Sequence, residues 1–122
     1  MGVDIYLRWK GITEKDKKNQ IQGYDISIGR LGYLRGAYNG HIGYDAIKIL
    51  FLDVDWEKDW KVDIDILKNN LQRLELGLFK KRKKEFYSPK GKDVEIQSYR
   101  DFVKLAEKLI KEGKNPKVHF SY

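Results

Sequence analysis

The sequence predicts an α+β domain of about four strands in a mixed or antiparallel sheet, with two amphipathic helices packed on one face. Three observations carry this expectation. Period-two alternation opens and closes the chain, through Val3, Ile5, Leu7 and Trp9 at the start and Val118, Phe120 and Tyr122 at the end. Between these ends, two stretches repeat apolar residues at spacings of three and four. The 122 residues show neither a repeat nor a linker, so residues 1–122 read as a single domain.

Each element follows in order. "VDIYLRW" is a half-buried strand whose polar face carries Asp4, Tyr6, Arg8 and Lys10. Residues 13–20 are polar throughout and read as a loop or short helix. Residues 24–28, "YDISI", alternate again and give a second strand. "GRLGYLRGAYNGHIGY" (29–44) holds five of the eleven glycines and reads as a long loop or irregular hairpin. "AIKILFL" (46–52) is apolar and bounded by glycine, which favours a buried strand over a helix. Asp63 then stands as the N-cap of a helix with Ile64, Leu67, Leu71, Leu74 and Leu78 as its stripe. "SYRD" (98–101) has the form of a capping box with Asp in place of Glu. Phe102, Leu105, Ala106, Leu109 and Ile110 form the stripe behind it, and Gly113 and Pro116 stop the helix. "KVHFSY" closes the chain as a strand inside the sheet.

Composition excludes several classes. With no cysteine there are no disulfides, thiolate metal sites or cysteine nucleophiles. No signal region precedes the first strand pattern, and no apolar run approaches the roughly 18 residues of a membrane span. The expectation is a cytoplasmic protein with no membrane partner. Nineteen lysines and no cysteine fit a thermophilic origin, while only two prolines run the other way.

The net charge of +7 is concentrated. Residues 80–92 carry seven basic residues against Glu85, a net +6, whereas residues 53–65 carry six acids against two lysines, a net −4. A local basic patch of this kind points to a phosphate-bearing or acidic partner.

"MGVDIYLRW", "GRLGYLRGAYNG" and "SYRDFVKLAEK…SY" together resemble an uncharacterised family of small bacterial and phage proteins. The resemblance spans most of the chain and implies no activity. It implies an acidic residue where Gly36 stands and a histidine where Asn39 stands, and this chain has neither.

The glycine-rich segment is the first candidate site. Glycines admit close backbone approach, Arg30 and Arg35 offer forks for phosphate or carboxylate, and Tyr33 and Tyr38 offer stacking faces. The alternative is a structural loop with tyrosines covering the core edge. Neither G-x-G-x-x-G nor G-x-x-x-x-G-K-[ST] occurs, which excludes the standard nucleotide loops. The second candidate is Lys80, Lys81, Arg82, Lys83 and Lys84 beside Phe86 and Tyr87, a pattern suited to tracking a nucleic-acid backbone while stacking its bases. A solvated lysine-rich helix end gives the same pattern.

The acidic run Asp53, Asp55, Glu57 and Asp59 alternates like a calcium loop, but Lys58 replaces its glycine and Ile64 its final acid. No metal site and no cofactor are expected. The leading function is binding of nucleic acid, or of another phosphate-bearing or acidic partner, through the glycine-rich loop and the basic segment. A phosphodiester- or nucleotide-processing enzyme is the alternative, with His41 as acid or base, Arg35 as charge stabiliser and Asp53 or Asp55 as a catalytic metal ligand. A protein-interaction module or homodimer is the third reading, since Tyr and Arg also anchor interfaces. His119 reads as an exposed residue on the polar face of the last strand.

Overall fold

Alternation at the two ends of the chain brings those ends together. The structure, a computed structural model, describes residues 2–21, 27–37, 42–79 and 96–121. Strand β1 (Gly2–Arg8) pairs antiparallel with β2 (Tyr33–Ala37) on one side and with β4 (Lys117–Ser121) on the other. A two-residue strand, β3 (Trp60–Lys61), pairs antiparallel with β4, giving the order β2-β1-β4-β3. The α+β class holds, the sheet is wholly antiparallel, and the last strand lies inside it.

Among the described residues four α-helices accompany the sheet rather than two: α1 (Glu14–Ile21), α2 (Ile42–Leu50), α3 (Ile64–Leu74) and α4 (Ile96–Lys111). Helix α3 begins as its sequence predicts, with the Asp63 carboxylate accepting from the backbone N–H groups of Asp65 and Ile66. A π-helical turn, Glu75–Phe79, extends it. Helix α4 ends at Gly113, whose φ of 71° only glycine adopts readily.

Three expectations are overturned. Residues 42–50 form helix α2, not a strand. A short apolar run does not distinguish the two by pattern, and here Ala46, Ile47, Leu50 and Phe51 share one buried helical face while Lys48 is exposed. Asn70 is buried and donates to the Leu50 carbonyl at 3.0 Å, satisfying a carbonyl that the helix end leaves free.

Second, "SYRD" does not cap α4, which is already helical at Ile96. Ser98 instead donates to the Ser27 carbonyl, and Asp101 accepts from Gln97. Third, the glycine-rich segment is not a loop over Tyr33–Ala37 but the edge strand β2. Of the expected strand 24–28, residues 24–26 lie outside the described residues. Ile28 joins β2 by a single bridge to Tyr33, and Ser27 Oγ accepts from the Arg35 N–H at 2.9 Å.

The inner face of the sheet, with Val3, Ile5, Leu7, Leu34, Val118 and Phe120, packs against α2, α3 and α4. Phe51 lies at its centre, edge-on to Phe102, Phe120 and Trp60 at 5.3–6.3 Å. Each such buried side chain contributes roughly 1.5–3 kcal/mol. A 3₁₀ turn, Gly29–Leu31, leads into β2 against α4. At Gly29 an added Cβ would stand 1.6 Å from the Ser98 carbonyl oxygen, so only glycine lets the turn meet the helix.

Candidate functional site

Because residues opposite one another in an antiparallel pair share a face, the register sorts the outer side of the sheet into three rows. One row is cationic, with Lys61 on β3, Lys117 on β4 and Arg8 on β1. The next is aromatic, with His119 on β4, Tyr6 on β1 and Tyr33 on β2. The third holds Ser121, Asp4 and Arg35. Rows two residues apart along a strand are separated by about 6.7 Å.

Burial divides this face. On the β2 side, Tyr33 is fully buried and donates its hydroxyl to Asp4 Oδ1 at 2.6 Å. Arg35 Nη1 donates to the same oxygen at 2.7 Å, and the two charged side chains are only 19% and 15% exposed. Burial, then the hydrogen bond and charge of Asp4, raises the Tyr33 phenol well above its ordinary pKa. Burial works against the Arg35 charge, but its hydrogen bonds to Tyr33 and Asp4 outweigh that and raise the guanidinium above its usual value.

The β4 side is open, with Lys61, Lys117, His119 and Ser121 all exposed. His119 stacks on Tyr6 at 6.3 Å between centroids, and its Nδ1 lies 2.8 Å from Asp59 Oδ1. The guanidinium of Arg8 sits 4.9 Å over the Tyr6 ring. It is steadied by buried Gln20 on α1, whose Oε1 accepts from Arg8 while its Nε2 donates to the Leu7 and Leu31 carbonyls.

At the end of the cationic row, a pocket of about 300 Å³ is lined by Arg8, Trp9, Lys10, Asp59, Asn115 and Lys117. Lys10 and Lys117 have no salt-bridge partner among the described residues. Three cations, Asp59 and Trp9 therefore line one opening.

Of the residues singled out from the sequence, those that are described do not all come together. Arg30 is exposed on the 3₁₀ turn. Tyr33 and Arg35 belong to the buried cluster with Asp4, so the Tyr33 ring presents no free stacking face. Tyr38, His41, Lys80, Lys81, Arg82, Lys83 and Lys84 lie outside the described residues. Asp53 is exposed in the turn after α2, at φ 63°. Among the described residues, no three His, Asp or Glu side chains converge as a metal site would need.

Arg8, Lys117, Tyr6, His119 and Asp59 form the more coherent group. Alternation in "VDIYLRW" and "KVHFSY" already puts all but Asp59 on polar strand faces, but only the register places them side by side. Comparison of the chain with known protein families, curated proteins and solved structures finds no match. No helix among the described residues is long and apolar enough to cross a membrane.

Proposed function

We propose that this protein binds single-stranded nucleic acid across the open half of the outer sheet face. The observation that supports it best is the pair of adjacent rows, cationic Lys61–Lys117–Arg8 beside aromatic His119–Tyr6. Single-strand binding needs cations to follow the phosphates and ring faces on which bases stack, one row apart. A duplex hides its base faces, so the exposed imidazole of His119 beside the half-buried Tyr6 favours a single strand. The net charge of +7 and the basic run at 80–92 support the same partner through their field.

Fluorescence anisotropy with a labelled 20-nucleotide strand at increasing salt tests the reading. The affinity should fall with salt by roughly 0.7 logarithmic units per logarithmic unit for each phosphate held. The double substitution Lys61→Gln/Lys117→Gln should reduce that slope by roughly 1.4. Absence of binding at low salt, or a slope indifferent to the double substitution, would refute this surface.

A further inference from the structure

The Asp59–His119 pair has an orientation that stacking alone does not require. A carboxylate only accepts hydrogen bonds, so Asp59 Oδ1 at 2.8 Å places a ring proton on Nδ1, and in the neutral imidazole the lone pair is then on Nε2. Nε2 makes no hydrogen bond among the described residues. The imidazole is 47% exposed, on the row next to Arg8 and Lys117. A base oriented by a carboxylate, beside two cations that can hold phosphate oxygens, is equipped to cleave a phosphodiester without a metal.

Resting on the nucleic-acid reading above, the geometry points to cleavage of single-stranded RNA, with His119 as the general base and Asp59 as its positioning residue. When the backbone follows Arg8, Lys117 and Lys61 and a base stacks on Tyr6, the ribose lies between the two rows, beside the imidazole. Nε2 removes the proton of the ribose 2′-hydroxyl. The 2′ oxygen then bonds to the adjacent phosphorus as the bond from phosphorus to the 5′ oxygen of the next nucleotide breaks. The Lys117 ammonium protonates that leaving oxygen and is restored from water, while the imidazolium returns its proton to solvent. Arg8 faces the charge that gathers on the non-bridging oxygens. The products are a 2′,3′-cyclic phosphate and a 5′-hydroxyl. DNA, lacking the 2′-hydroxyl, is bound and left whole.

The test uses a labelled 12-nucleotide RNA and the DNA of the same sequence, both in excess EDTA. Anisotropy reports binding, a denaturing gel reports cleavage, and mass spectrometry reads the new ends. Both strands should bind, and only RNA should be cut, to a cyclic phosphate. His119→Gln, with an unchanged melting temperature, should cut at least about 100-fold more slowly when all the RNA is held by saturating protein. Asp59→Asn should lower kcat while leaving KM nearly constant, a split that loss of mere surface charge would not produce. RNA that is bound but intact would overturn the inference and leave the binding reading standing. Cutting of DNA, or full activity in His119→Gln, would overturn it as well. If neither strand binds, both readings fall.

Discussion

The two halves of the outer sheet face are assembled from the same kinds of side chain, yet they do opposite things. On the β2 side an acid, a cation and a ring (Asp4, Arg35 and Tyr33) lock onto one another out of solvent. On the β4 side Asp59, Lys117 and His119 stand exposed beside half-buried Arg8 and Tyr6, and among the described residues the acid's partner is the imidazole. Burial decides the difference. With Asp4 and Arg35 below 20% exposed, each partner exists to satisfy the other, because a lone buried charge is costly. With Asp59 and His119 about half exposed, water satisfies either alone, so their geometry is free to serve a ligand.

The largest expected effect tests that distinction directly. Asp4→Ala leaves Arg35 and the Tyr33 hydroxyl without their shared acceptor, and urea unfolding should show a loss of about 3–5 kcal/mol. The matching Asp59→Ala should lose no more than about 1 kcal/mol. Equal losses would erase the contrast between the halves.

Tyr33→Phe removes one charge-assisted hydrogen bond and should lower stability by about 1.5–3 kcal/mol at neutral pH. The pH dependence has a definite sign. The folded phenol titrates above its ordinary value of 10.0, so its stabilisation is complete below that value and declines as pH rises beyond it. Urea midpoints of wild type and Tyr33→Phe should thus differ by a constant amount up to about pH 10 and converge in more alkaline solution. A gap that widens there would contradict the buried-phenol account.

Tyr6→Leu, on the aromatic row between the halves, should weaken single-strand binding by about 1–3 kcal/mol in anisotropy at fixed salt. Unchanged affinity would remove Tyr6 from the binding face. The smallest change is expected for His119→Gln, whose unfolding free energy should stay within about 0.5 kcal/mol of wild type. A larger drop would mean that the open half is structural as well.

The sequence revealed the fold class, β1, β4, α3 with its Asp63 cap, and the stop at Gly113, because each depends on local spacing or on one residue's backbone preference. It misled at Ala46–Leu50, where apolar residues satisfy a strand pattern and only packing around Phe51 selects the helix. It misled again at Tyr33–Ala37, where glycines suggested a loop. Gly29 is needed for the contact with Ser98, and Gly32, at φ 80°, for the turn beside it. Basic and aromatic character was legible in the dense runs, whereas the two rows were not, because they are made of single residues far apart in the chain. Asp59 and His119 are sixty positions apart and meet only because β3 pairs with β4.

The sheet order has a kinetic consequence. Strand β4 lies between β1 and β3, so Ile5 must find Phe120 across more than a hundred residues. Such a closure is entropically slow, and it cannot begin until the chain has been synthesised through Lys117–Ser121. While β4 is missing, both β1 and β3 present an unpaired edge on its side, and the Val3, Ile5 and Leu7 row lacks its neighbours Val118 and Phe120. The open half of the outer sheet face is therefore among the last parts of the sheet to be assembled. A nascent chain still short of Lys117 has Arg8 and Lys61, two of the three cations of the row, but lacks both Lys117 and the imidazole of His119.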